Sequence, residues 1–402
     1  MLSTGIMSAF GFVFWLICSR LFLPADIGVA TSLISVASLL TTMSLFGLNN
    51  AVVRFLPSSN DRDSFVSSVF GISFCGSIIF SSAFLLWLHV THNPIVESDY
   101  IIPLSFVFIL YIIFQTALII MDAVFIADRK AQYIFGKSVL LSFVKIITPF
   151  FLISFGAIGI VYGITMSSVV AVITGFSWLF FATKIKFVRP RMKHLFHIRV
   201  FAMGNYFGSM FGILPSSLLP IIILSRLGAV ETAYFYIPFA IVTLLNVIPS
   251  ANAQSLFAEV SNNETALEEH LRKSIAHSFI MLVPAVLVIV TMGSFALSFF
   301  GLAYAKEGIN VLRILSFASI IGSLNYFGDI LLNVKKRSRE YIFMNALNAL
   351  GILAFTYVTA PYGLESVAWG YFVGQLVTMI AYLFVHKKMI KDMIFLQHSF
   401  QK

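Results

Sequence analysis

The sequence predicts an all-α, polytopic membrane protein of about twelve transmembrane helices, and three observations carry that prediction. Hydrophobic residues make up 59% of the 402 positions and charged residues only 11%, with a mean hydropathy of +0.95. Soluble domains run at about 45–50% apolar and about 25% charged. Apolar runs of about 18 residues or more recur along the whole chain, each long enough to cross roughly 30 Å of hydrocarbon as a helix. Basic residues, the third observation, gather in alternate connections between those runs.

In order, the spans fall at approximately 3–23, 28–52, 66–90, 101–125, 137–156, 158–182, 200–224, 230–252, 276–300, 308–333, 341–360 and 364–386. The first starts almost at Met1, lacks a basic lead-in and passes into another span after Ala25-Asp26, so it reads as a retained helix and not as a cleaved signal. The even-numbered connections hold Arg54 and Arg62, then Arg129, Lys130 and Lys137, then Lys184, Lys186, Arg189, Arg191, Lys193 and Arg199. They continue with Arg272 and Lys273, with Lys335, Lys336, Arg337 and Arg339, and with Lys387, Lys388 and Lys391 in the tail. The odd-numbered connections have little beyond Arg20, Arg226 and Lys306. Positive charge stays on the cytoplasmic side, so both termini are expected there, in a cell (plasma or inner) membrane. The net charge of +9 then marks loops that face membrane lipid, and no nucleic-acid partner is expected.

The basic loop 183–199 divides the spans six and six, giving a first lobe over 1–182, a second over 200–387 and a tail over 388–402. A repeated phrase supports the division. "SRLFLPADIGVATSL" at 19–33 follows span 1, and "SRLGAVETAYFYIPF" at 225–239 follows span 7. Span 2 then leaves through "NNAVVRFLPSSNDRDSF" and span 8 through "SANAQSLFAEVSNNET", each with an Ala, a Phe four residues on and a Ser/Asn-rich turn. Six spans return the chain to the same side, so the halves are parallel repeats.

The "SRLFLPADIGVATSL" turn, the "AVVRFLP" exit of span 2 and the six-plus-six layout together resemble the oligosaccharide and polysaccharide flippases. These belong to the superfamily of multidrug, oligosaccharidyl-lipid and polysaccharide exporters. The resemblance implies two six-helix lobes in a V around a central cavity. It implies a substrate that is an oligosaccharide on a polyprenyl diphosphate lipid, moved from inner to outer leaflet by alternating access. Glycosyltransferases and a polymerase of the same pathway would be its partners. The alternatives are an organic-cation or multidrug antiporter of the same superfamily and a membrane polysaccharide polymerase or ligase. The last would want a long outer loop, and the largest, about 91–100, is short.

An anionic lipid-linked sugar calls for cations within the membrane, where each costs about 2.5–3.5 kcal/mol on insertion scales. Lys145, in "SVLLSFVKIITPFFLI", is the foremost candidate, about eight residues into span 5; the other reading is snorkelling toward the cytoplasm. Arg20 and Arg226 sit at matching outer ends of spans 1 and 7, suited to diphosphate through a planar two-pronged donor or to anchoring at lipid phosphate. Arg313, about five residues into span 10, and Arg54, at the cytoplasmic end of span 2, complete the set. Asp122 and Asp329 are expected to pair with Arg129, Lys335 or Lys336, leaving no carboxylate free to bind a coupling cation. In span 7, Gly204, Gly208 and Gly212 allow close helix approach and Pro215 and Pro220 allow bending. Asn205, Tyr206, Gln115 and Gln375 can meet sugar hydroxyls or bond between helices. Cys18 and Cys75 form no disulfide or metal pattern, the histidines are scattered, and no phosphate loop or HExxH occurs. No cofactor, metal or catalytic residue is therefore expected, and the chain does not read as an enzyme.

Overall fold

A computed structural model describes the backbone of residues 2–90, 101–191, 199–260, 267–335 and 337–400, and the side chains of 9–90, 105–191, 206–256, 269–335 and 337–385. Its regular structure is helical, with no strand among the described residues. The helices are α1 (Leu2–Leu21), α2 (Pro24–Leu45), α3 (Leu48–Phe55), α4 (Arg62–Val90), α5 (Ile101–Ala127), α6 (Ala131–Ile147) and α7 (Gly156–Thr183). There follow α8 (Arg199–Leu227), α9 (Ala229–Leu245), α10 (Val247–Val260), α11 (Leu267–Ser298), α12 (Leu302–Glu307), α13 (Ile309–Val334), α14 (Ser338–Thr359) and α15 (Leu364–Phe400). Eleven helical segments are long and apolar enough to cross a membrane, and the described part of α1, Ala9–Leu21, is a shorter apolar helix. The chain is a multi-pass membrane protein.

The repeated phrase makes the same helix end twice. Ser19 Oγ donates to the Leu16 carbonyl at 2.8 Å, and Ser225 Oγ to the Ile222 carbonyl at 3.0 Å, each three residues back. Pro24 then opens α2, where its missing N–H is no loss; Gly228, with φ 98°, turns the chain into α9. The halves repeat a second device. After α6, Thr148-Pro149 forms a 3-10 turn and Gly156 (φ 54°) opens α7. After α14, Ala360-Pro361 does the same and Gly363 (φ 102°) opens α15.

Several boundaries differ from the sequence expectation; α11, for one, starts at Leu267 and not near 276, so Arg272 and Lys273 lie on a helix. Span 2 is not continuous over 28–52: Phe46 (φ 49°) and Gly47 (φ 70°) break it, and the short α3 resumes with Leu48, Ala51 and Val52 buried. Span 5 starts at Ala131 and not near 137, so Lys137 belongs to a helix and not to a connection.

The chain forms two compact units, Met1–Ala233 and Tyr234–Lys402. The first includes α8, which the charge pattern assigns to the second lobe. Gly28 of α2 lies against the Ala229 carbonyl so closely that a Cβ would overlap it, and Ser32 Oγ lies 3.2 Å from the Pro220 carbonyl. Small residues allow that approach. α8 runs unbroken through Pro215 and Pro220.

The units are apolar outside and partly polar within. Phe181, Leu86 and Ile79 are exposed, while Ser64, Ser68, Ser73, Ser77 and Ser81 of α4 are buried. Beside the buried Leu, Ile and Phe of the core, small hydroxyl residues let helices approach closely. Three of the α4 hydroxyls bond back within the helix, Ser68 to the Ser64 carbonyl (2.7 Å), Ser77 to the Ser73 carbonyl (2.9 Å) and Ser81 to the Ser77 carbonyl (2.5 Å), while those of Ser64 and Ser73 are buried without a partner among the described residues.

Candidate functional site

Lys145 lies in the last turn of α6, two residues before its end at Ile147. The helix starts at Ala131, so the nearer end is the one away from the basic connections. At about 1.5 Å per residue, the first turn of α6 is some 20 Å from Lys145. Ser138, Ser142 and Lys145 follow one another at i, i+4 and i+7 and so share a face of α6. Ser138 and Ser142 are buried. The Lys145 ammonium stands over the Phe14 ring of α1, 4.1 Å from its centroid, and Phe14 is fully buried. Cys18, also buried, follows one turn along α1. An aromatic face attracts a cation but does not neutralise it. No hydrogen bond or carboxylate partner of the Lys145 ammonium occurs among the described residues.

A second cation of α6 is disposed of differently. Lys137, 2% exposed, donates to the Leu118 carbonyl at 3.0 Å and pairs with Asp122 of α5 at 2.7 Å. The expected Asp122 partners, Arg129 and the lysines near 335, are thus corrected to Lys137. The starting point of span 5 concealed this pair, although a fully helical reading back to Ala131 would have placed Lys137 one turn inside. Elsewhere in the unit Gln115 Nε2 donates to Ser168 Oγ (3.1 Å), and Ser77 and Thr116 hydroxyls meet at 2.9 Å. Gln115 therefore bonds between helices.

Arg20 and Arg226 are both exposed and both lie in the last turn of their helices, α1 and α8. At the opposite end of α2, Arg54 is exposed on α3 with its guanidinium 5.5 Å from the Phe55 ring centroid. In the second unit Arg313 is exposed on α13 and its Nε donates to the Val290 carbonyl of α11 at 3.3 Å. Of the predicted cations, then, Lys145 is half-buried and the four arginines are exposed. Gly208 and Gly212 lie on α8 with Pro215 and Pro220; the side-chain surroundings of Gly204 and Asn205 fall outside the described residues. Tyr206 faces the Phe46 ring at 6.1 Å.

Asp329 departs from expectation. Its Oδ1 accepts from Tyr382 Oη (2.5 Å) and Asn345 Nδ2 (2.8 Å), and it forms no ion pair among the described residues. One turn earlier on α13, Asn325 Nδ2 donates to Gln375 Oε1 at 2.7 Å, and Gln375 Nε2 to Tyr371 Oη at 3.3 Å. The second unit thus holds a carboxylate among neutral donors, which the sequence reading had assigned to a basic partner.

The sequence pattern of a family described as polysaccharide biosynthesis protein matches residues 17–306. No curated protein matches the chain. Among solved structures, an inward-facing multidrug resistance MATE family transporter of the MOP superfamily aligns with a TM-score of 0.77 at 16% identity, covering 96% of this chain and 95% of that one. The lipid II flippase MurJ in an inward closed conformation aligns with a TM-score of 0.77 at 13% identity, covering 96% and 87%. A MOP superfamily transporter from Pyrococcus furiosus, described by a reverse polarity of its binding pocket, gives 0.72 at 16%, covering 97% and 93%. At such identities the likeness is one of fold.

Proposed function

Because this chain belongs to the polysaccharide biosynthesis protein family, we propose that it is a flippase that carries an oligosaccharide on a polyprenyl diphosphate lipid across the cell membrane by alternating access. The observation that carries the reading is the pairing pattern of the two α6 cations. Lys137 has its carboxylate; Lys145 has an aromatic face, a serine stripe and no anion. An embedded ammonium without a counter-charge is costly, and an anionic ligand offsets that cost. Phosphate oxygens accept charge-assisted hydrogen bonds from an ammonium, and the prenyl tail stays in lipid against the exposed Phe and Leu side chains. Arg20 and Arg226 end their helices with forked donors suited to the same diphosphate.

In this reading both termini and the loop 183–199 face the cytoplasm, where the lipid-linked sugar is made, and glycosyltransferases and a polymerase act before and after it. The lobes are the six-helix repeats read from the sequence, 1–182 and 200–387. The protein moves its substrate and makes no covalent change to it. One observation favours a second reading, export of an organic cation coupled to an ion: Asp329 is a carboxylate held by Tyr382 and Asn345 without a basic partner. Purified protein in vesicles separates the two. Translocation of a fluorescent polyprenyl diphosphate sugar, with no uptake of an organic cation dye, is the expected outcome; dye transport alone would install the second reading in place of the first.

A further inference from the structure

The connection after α7 is built into the protein surface. Lys184 closes α7 with φ 59°, and Lys130 Nζ donates to the Ala182 carbonyl at 2.5 Å. Residues 184–191 then run without helix along α4, which binds their backbone through side-chain acceptors. The Lys186 N–H donates to Asp63 Oδ1 (3.0 Å), the Val188 N–H to Ser67 Oγ (3.0 Å) and the Arg191 N–H to Ser68 Oγ (2.8 Å). Side chains pin the segment further. Ile185 is buried in the core of the first unit, and Phe187 meets the rings of Phe70 at 5.4 Å and Phe176 at 5.6 Å. Arg191 pairs with Asp61 at 3.4 Å. A loop whose amide donors are answered by a neighbouring helix has a fixed course.

Along that course Lys184, Lys186 and Arg189 are exposed, and none of the three forms an ion pair or side-chain hydrogen bond among the described residues. The acids beside them are engaged, Asp63 with the Lys186 N–H and Asp61 with Arg191. Phe181, Phe187 and Val188 are exposed alongside. The segment begins at the residue after a helix long and apolar enough to cross a membrane, the place in a chain where basic residues meet lipid headgroups and aromatic rings meet the acyl edge.

We infer that residues 184–191 form a docking strap for the phosphate of an anionic membrane lipid, in which Lys184, Lys186 and Arg189 are held at fixed spacing by Asp63, Ser67 and Ser68. Fixing the backbone in advance removes an ordering cost that a free basic loop would bear on binding. The inference does not depend on what the protein transports.

The test is the melting temperature of the full chain in neutral detergent with short-chain phosphatidylglycerol, phosphatidylcholine of the same chains, or inorganic phosphate, since a ligand of the folded state raises it. Phosphatidylglycerol is expected to raise it more than phosphatidylcholine, and inorganic phosphate to do little. The triple variant Lys184→Gln, Lys186→Gln, Arg189→Gln should lose most of the difference between the lipids. Ser67→Ala with Ser68→Ala keeps every charge, frees the strap and should lose part of it. Equal effects of the two lipids, or a difference that survives the triple variant, would overturn the site. A rise with inorganic phosphate as large as with phosphatidylglycerol would replace the lipid by a soluble anion. A full difference in the serine variant would show that charge alone suffices and that the pinned backbone has no part.

Discussion

Replacing Asp122 by Asn removes the counter-charge of Lys137 while keeping its shape. Lys137 is 2% exposed and its Nζ lies 2.7 Å from Asp122 Oδ1, so at an effective dielectric of 20 the lost attraction is about 6 kcal/mol gross. Two features reduce that figure. The Asp122 side chain is 32% exposed, which admits screening, and Lys137 keeps its bond to the Leu118 carbonyl. Breaking a buried pair on one side costs about 3–5 kcal/mol in general, and with these reductions about 2–3 kcal/mol is expected here. At about 2–4 °C per kcal/mol for 150–250 residues, the size of the first unit, the melting temperature in detergent should fall by about 4–12 °C. The double variant Asp122→Leu, Lys137→Met removes both charges and should recover most of the loss, because a well-packed apolar pair replaces an ion pair at little cost. Two results would refute this reasoning: an Asp122→Asn protein that melts with wild type, or a double variant as unstable as the single one.

Four further outcomes are expected. In a background without Cys18 and Cys75, an impermeant thiol reagent added to intact cells should label Leu302→Cys and not Lys186→Cys, and the reverse pattern would invert the orientation. Arg20→Gln and Arg226→Gln, if both guanidiniums act on one diphosphate, should combine non-additively in transport by about 0.5–3 kcal/mol, whereas simple addition would make them independent anchors. Gly28→Ala drives a Cβ into the Ala229 carbonyl, which cannot swing aside, and should cost about 1–3 kcal/mol in melting experiments. At Gly11 nothing lies within 4 Å, so Gly11→Ala should be neutral or stabilising.

The layout of the helices was legible because lipid imposes long apolar runs, and "SRL" was legible as a helix end because its serine closes on the carbonyl three residues back in both halves. The break at Phe46-Gly47 was not, since Phe46 takes a left-handed φ that composition does not announce and Gly47 is one glycine among 24. The second repeated device was written in plain view, as "TPFFLISFG" and "APYG", but its spacing differs between the halves. Lys145 stood out as a charge amid apolar residues, while its closeness to Phe14 joins positions far apart in the chain and has no local signal. Lys137 was hidden by its neighbours: "RKAQYIFGK" reads as a polar connection until Asp122, on another helix, supplies the partner that lets it be buried. Asp329 was misassigned for the converse reason. Basic residues close by in sequence suggested a pair, and the fold answers the carboxylate with Tyr382 and Asn345 instead.

The account rests on Lys145 meeting an anion, and transport of a polyprenyl diphosphate sugar into vesicles at matched protein content tests that most directly. Lys145→Ala should abolish translocation while the melting temperature stays within a few degrees of wild type, since no ion pair is broken. Lys145→Arg should retain part of the activity by keeping the charge. Normal translocation by Lys145→Ala would contradict the claim, and would leave the lysine as a cation held only by the Phe14 ring.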